Sequence, residues 1–234
     1  MKKLFLPFIC SLTFISQVFA QETPQTQYLF SDKNVRFSGF GGPVVQFGIA
    51  DGNFAVYNGG GGAALINQKF FIGGAGEGLS TSHSFPDIAQ SQTDHTAKYQ
   101  GLELNVGYGG LWLGYIHKSY NVAHWGVSTK FGPGAISLFD RDYPTDKYQE
   151  IASDFIFVIS PQLELEVNMA RWFKMNFAAG YKLFTGIDDK TYFNTDGQEV
   201  KYYTPSMFNT PYFSVGFYFG WFDLASRKSK ADKE

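Results

Sequence analysis

The sequence predicts an all-β protein: a closed, antiparallel, up-and-down transmembrane β-barrel of about ten strands, with eight or twelve as the alternative counts. Three observations predict it. Beyond residue 20 no apolar run approaches the roughly 20 residues that a spanning helix needs, yet segment after segment alternates apolar and polar side chains with a period of two. Aromatic residues are 18% of the chain and charged residues only 17%, with 26 glycines, which suits a wall with one face in lipid. The connections between alternating segments are short and long by turns, as in a barrel with tight turns on one side and long loops on the other. A mean hydropathy of −0.17 does not oppose this, because lipid-facing and lumen-facing residues average out along each strand.

The chain opens with Lys2 and Lys3, an apolar run from Leu4 to Phe19, and a small residue at Ala20 before polar Gln21 and Glu22. That order predicts a cleavable export signal over residues 1–20. The single cysteine, Cys10, lies inside it. Disulfide and thiol chemistry are therefore excluded from the mature chain. Loss of Lys2 and Lys3 takes the formal charge from −2 to −4, which gives no reason to expect nucleic acid as a partner. Residues 21–33 are polar and read as a periplasmic lead-in, the barrel as residues 34–222, and residues 223–234 as a charged periplasmic tail.

The first strand places Val35, Phe37, Val45, Phe47 and Ile49 on one face, with Pro43 where no ladder donor is needed or at a bulge, and ends at the turn Asp51-Gly52. The second, residues 54–66, is centred on Gly59 to Gly62. The third covers residues 69–79. After a polar loop over residues 80–96, the fourth sets Leu102, Leu104, Val106 and Tyr108 toward lipid, against Gly101, Glu103, Asn105 and Gly107. Gly109-Gly110 then reads as a turn. The fifth runs over residues 111–120. The sixth sets Trp125, Val127, Thr129 and Phe131 outward and His124, Gly126, Ser128 and Lys130 inward. Gly132-Pro133-Gly134 reads as the next turn, a short seventh strand as residues 135–139, and residues 140–150 as a charged loop.

The eighth strand passes a break at Pro161 and sets Leu163, Leu165, Val167 and Met169 against Gln162, Glu164, Glu166 and Asn168. The ninth sets Phe173, Met175, Phe177, Ala179, Tyr181 and Leu183 against Lys174, Asn176, Ala178, Gly180 and Lys182. A second long loop over residues 187–206 precedes the tenth, with Phe213, Val215, Phe217, Phe219 and Trp221 outward.

The run from Gly59-Gly60-Gly61-Gly62 to Gly73-Gly74, the segment Gly107-Tyr108-Gly109-Gly110-Leu111, and the stretch from Phe157 through Pro161 and Glu166 to Tyr181 resemble a family of small outer-membrane β-barrel proteins of Gram-negative bacteria. The resemblance covers roughly residues 40–222. It implies a fold and an address in the cell outer membrane, and it carries over no catalytic residue. The aromatic terminal strand resembles the signal that barrel-insertion machinery reads. That machinery and outer-membrane lipid are the expected partners, and the sequence names no ligand.

Two groups of residues are candidates for chemistry. Glu103, His124, Lys130, Glu164, Glu166, Lys174 and Lys182 fall on the expected lumen face, where buried charge must be paired or watered. An ion-pair network filling a narrow lumen is the favoured reading, and a small water-filled path the rival. His83, Asp87, Asp94 and His95 share the loop after the third strand. Acids and histidines together suit hydrolysis or metal binding, but their spacing matches no motif for either, so no metal and no cofactor is expected. The aromatics Tyr28, Tyr57, Trp112, Tyr115, Tyr120, Trp125, Trp172, Tyr202, Tyr203 and Trp221 read as anchors at the membrane interface. The function expected is a barrel with a mostly filled lumen and a structural or interaction role through its outer loops. The rivals are a narrow channel for small solutes and an outer-membrane enzyme acting on lipid or peptide.

Overall fold

The computed structural model of the protein describes residues 35–142 and 147–222; the expected signal, lead-in and tail, and Tyr28, lie outside them. Among the described residues eight long strands make the wall: β1 (Phe37–Ala50), β2 (Asn53–Ile66), β3 (Phe70–Leu79), β4 (Leu102–His117), β5 (Ala123–Asp142), β6 (Lys147–Ala170), β7 (Phe173–Thr185) and β8 (Thr210–Gly220). Each pairs antiparallel with its chain neighbours, and β1 pairs with β8, so the ring of ladders closes. From Glu77, successive pairing partners reach β6 at Ile156 by way of Tyr108 and Gly134. By way of Gly59, Val44, Gly216 and Asn176 they reach it at Glu166. The ten-residue offset is the stagger that tilts the strands, and eight strands leave an interior just wide enough for side chains.

The expected turns at Gly109-Gly110 and Gly132-Pro133-Gly134 are not turns, which reduces ten strands to eight. They are two halves of one kink. The β4–β5 register is the same on either side, with Tyr108 opposite Gly134 and Leu111 opposite Phe131. The backbones between approach so closely that a Cβ on Gly110 would lie 2.2 Å from the Phe131 carbonyl oxygen, and one on Gly132 2.3 Å from that of Gly109. Proline supplies the cause. Pro133 has no N–H to donate, so its ladder to β4 lapses while its pairing with Phe157 of β6 persists. Pro43 and Pro161 do the same. Pro43 stays paired with Gly60 while the β1–β8 ladder lapses beside it, and Pro161 stays paired with Thr129 while the β6–β7 ladder lapses. All three prolines are exposed on the outside of the wall. Pro161 therefore breaks no strand.

Residues 140–150 were expected as a loop. Instead residues 140–142 and 147–150 continue β5 and β6, which extend over 20 and 24 residues, well past the 9–11 that cross a bilayer; residues 143–146 lie outside the described residues. The connections at one end of the barrel are short: residues 67–69, 118–122 and 171–172. The two long ones, residues 80–101 and 186–209, share the other end with Asp51-Gly52. These are called the short-turn end and the long-loop end. The outer face is apolar around the ring, with Phe47, Ile72, Leu111, Val127, Leu163, Leu183 and Phe213 all exposed. An exposed apolar belt that encircles a protein is a surface made for lipid, since no patch of that extent survives in water.

Candidate functional site: the filled lumen and its cap

The lumen is built in layers. At its centre Glu77, on β3, gathers partners from four other strands. Lys130 Nζ lies 2.5 Å and Gln46 Nε2 2.8 Å from its Oε1, and the Tyr108 hydroxyl donates to its Oε2 at 2.5 Å. Lys182 Nζ is 3.9 Å from Oε2. That ammonium is completely buried without a hydrogen bond, 3.2 Å from the centre of the Tyr57 ring and within 5.6 Å of those of Tyr108 and Tyr212. A cation facing the electron-rich faces of rings is partly compensated for its lost water.

Toward the short-turn end the interior divides by strand. On the β5–β6–β7 side, Ser160 donates to the Tyr212 hydroxyl, which donates to Gln162, both at 2.8 Å. The Gln162 amide donates to Glu164 at 2.6 Å. Glu164 also accepts from Ser128 and, at 3.1 Å, from Asn176. One step lower, Glu166 Oε2 meets Lys174 Nζ at 3.0 Å and His124 Nε2 at 2.9 Å. On the β1–β4 side the same depth is apolar: Phe40, Val44, Leu65, Phe71, Trp112 and Ile116 pack as one cluster with Tyr218. Phe222, just past β8, joins it from below, with Lys174 Nζ 4.4 Å from its ring centre.

Toward the long-loop end the interior is mainly apolar, with an ion pair between Asp154 on β6 and Lys190 from the second long loop. Leu104, Val106, Ile136, Leu138, Ile156 and Val158 point inward, and the two long loops fold down onto them through Phe85, Ile88, Tyr202, Tyr203 and Phe208. The loops are tied together as well, since the Phe193 amide donates to Gln92 Oε1 at 2.7 Å and Phe85 packs on Tyr203 at 5.2 Å.

No family model matches the chain, and no curated protein sequence matches it. Among solved structures it is similar to Neisserial surface protein A (NspA), at 6% identity and a TM-score of 0.48, over 80% of this chain and 99% of that one. It is similar to a major outer membrane protein from Thermus thermophilus, at 8% identity and 0.48, over 78% and 98%. It is also similar to Ail, the attachment invasion locus protein of Yersinia pestis, at 12% identity and 0.41, over 79% and 97%.

Six of the seven expected lumen residues, His124, Lys130, Glu164, Glu166, Lys174 and Lys182, are buried inside the ring. Glu103 is not. The inward residues of β4 are Leu102, Leu104, Val106 and Tyr108, the reverse of the sequence reading. The reason is height: this part of β4 stands at the long-loop end, where the inside is the apolar cap and the outside is polar. Tyr57 and Trp112 are likewise inside the lumen, and Tyr202 and Tyr203 inside the cap, so none is an interface anchor. Tyr120, Trp125, Trp172 and Trp221 are exposed on the outside. Glu77 escaped sequence reasoning although its signal was present. It is the lone acid on the face shared by Phe71, Gly73 and Ala75, and such a residue requires a partner across the lumen.

The loop candidates have separate partners. Asp87 pairs with Lys98 at 3.0 Å, Asp94 accepts a hydrogen bond from the Thr96 amide, and His95 lies edge-on to Phe193. His83 is buried, with Nε2 2.9 Å from the Thr81 hydroxyl. Burial holds its imidazole below the ordinary histidine value, partly offset by the Asp51 carboxylate. Among the described residues no three His, Cys, Asp or Glu side chains are grouped to hold a metal ion.

Proposed function

We propose that the chain is an outer-membrane surface protein whose barrel does not conduct, and which serves as a rigid mount for its two long loops. With the long loops facing out of the cell, the long-loop end is external and the short-turn end periplasmic. The observation that carries this reading is the filling of the lumen in series. An apolar cap, the Glu77 layer, and the Phe40–Trp112–Phe222 cluster beside the Glu166 pairs follow one another along the axis. A hydrated ion would have to displace each in turn. The charges are also matched, with Glu77, Glu164 and Glu166 against Lys130, Lys174 and Lys182, Asp154 against Lys190, and His124 on Glu166, so the lumen offers no marked excess of one sign to draw a solute in. Such a network costs desolvation and stabilises only when complete. It suits a wall that must keep its shape while its loops meet a partner outside the cell.

The test is conductance of the refolded barrel in a planar bilayer, with folding checked by heat-modifiable migration on a gel. A folded, silent barrel is the expected result. Reproducible current steps that shift with charge changes at Glu77 or Lys130 would overturn the proposal.

A further inference from the structure

The connections at the two ends differ in charge. At the short-turn end the described residues carry Arg36, Lys69, Lys118 and Arg171, one at each station around the rim, all exposed, and no aspartate or glutamate. The connections at the long-loop end carry Asp51, Asp87, Asp94, Asp188, Asp189, Asp196 and Glu199 against Lys98, Lys190 and Lys201. Two of the rim lysines also stand beside a groove. On the outside of the wall, across β3, β4 and β5, Phe70, Leu113, Tyr115, Val127 and Thr129 line an apolar depression. Lys69 directly precedes Phe70, and its carbonyl accepts a hydrogen bond from the Ile116 amide, which holds it against the end of β4. Lys118 directly follows His117, whose ring stacks on Trp125 at 4.9 Å. This shallow, open groove therefore ends at Phe70 and Tyr115, and the rim just beyond them in the chain carries Lys69, Lys118 and the His117–Trp125 pair.

We infer that this groove seats one anionic phospholipid of the periplasmic leaflet, with an acyl chain along Leu113 and Val127 and the headgroup phosphate at Lys69 and Lys118. The inference rests on the bilayer-embedded reading above. The occupant follows from charge complementarity: two exposed lysines on adjacent turns of the rim favour a phosphodiester with net negative charge over a zwitterion, and the aromatic pair suits the interfacial zone. An acidic peptide would satisfy the lysines but leave the apolar groove without an occupant.

The test uses Trp125 as the reporter, in a W172F/W221F variant that leaves only Trp125 on the outer wall. The folded protein is placed in phosphatidylcholine vesicles with a small, equal fraction of chain-brominated phosphatidylglycerol or chain-brominated phosphatidylcholine. Brominated phosphatidylglycerol is expected to compete for contact with Trp125 about fivefold better, and a rise in salt to weaken that preference. Lys69→Gln with Lys118→Gln should bring the two lipids to parity, and Val127→Phe, which fills the groove, should lower the preference with the lysines intact. Equal quenching by both lipids in the parent overturns the site. A preference untouched by Val127→Phe overturns the seated chain. Absence of quenching by either lipid overturns the bilayer reading itself, and the site with it.

Discussion

Lys182 and Tyr57 meet at the centre of the lumen, with the ammonium nitrogen 3.2 Å from the centre of the phenol ring and no hydrogen bond from either side chain. The nearest carboxylate oxygen, on Glu77, is 3.9 Å away. Lys130 holds that carboxylate more closely, at 2.5 Å. The two lysines are therefore unequal partners of one acid, and their removal should have unequal effects.

Lys182→Met takes away a buried charge and leaves Glu77 its bonds to Lys130, Tyr108 and Gln46. It is expected to cost less than about 1 kcal/mol or to stabilise, because an apolar side chain of similar length avoids the desolvation of the ammonium. Glu77→Gln leaves two buried ammonium groups without an anion and is expected to cost about 3–5 kcal/mol. Urea titrations of the barrel in lipid, followed by tryptophan fluorescence, measure both. Equal losses would show that the network depends on Lys182 as much as on the acid itself.

The kink between β4 and β5 makes its own prediction. Gly132→Ala places a Cβ 2.3 Å from a backbone oxygen, so the wall has to open. A loss of about 3 kcal/mol or a failure to close is expected. Gly107→Ala, two residues from the kink on β4 and with open space where its Cβ would stand, should be tolerated. The fraction of protein that resists unfolding by detergent before boiling separates the two outcomes.

The cap and the lumen should be separable. Phe85→Ala with Tyr203→Ala removes two rings that join the long loops to the interior, at about 3 kcal/mol or more for each cavity. Faster proteolysis within residues 80–101 and 186–209 is expected. The bilayer current should stay silent, because the Glu77 layer lies beneath. Current in this variant would locate the seal in the loops alone.

Acid should loosen the cap through His83. Its folded value is depressed by burial below the ordinary 6.5, with Asp51 offsetting part of the effect. As pH falls the unfolded segment takes the proton first, so stability is lost as pH drops below about 6.5 and the loss is complete below the folded value. The Leu104 amide, which donates to the His83 carbonyl at 2.9 Å, reports this. Its protection from hydrogen exchange, corrected for intrinsic rate, should fall between pH 7 and pH 5. In His83→Gln the fall should vanish. A protection factor constant over that range in the parent would falsify the assignment.

What could be read from the sequence is what a period of two carries. Along β5, β6, β7 and β8 the alternation placed Trp125, Leu165, Phe177 and Phe217 outside and Lys130, Glu164, Lys174 and Ser214 inside, as the structure has them. A pleated strand sends successive side chains to opposite faces whatever its neighbours do. The sequence by itself determined an all-β antiparallel wall, its strand parity in these segments, two long loops read as residues 80–96 and 187–206, and most of the buried charges.

The tertiary structure alone decided the strand count, the orientation of β4, and the partners of each charge. Gly109-Gly110 and Gly132-Pro133-Gly134 have the composition of turns, and only their placement opposite one another shows that they relieve a close approach instead. Leu102, Leu104 and Val106 are apolar enough for lipid, and only the loops that descend on the barrel make the inside of that end drier than the outside. Glu77 is 53 residues from Lys130, and Lys182 is further still, so the stagger of the ring brings them together. Alternation is a local property of the backbone, whereas height along a closed barrel and the identity of a partner across it are fixed only by how the ring closes.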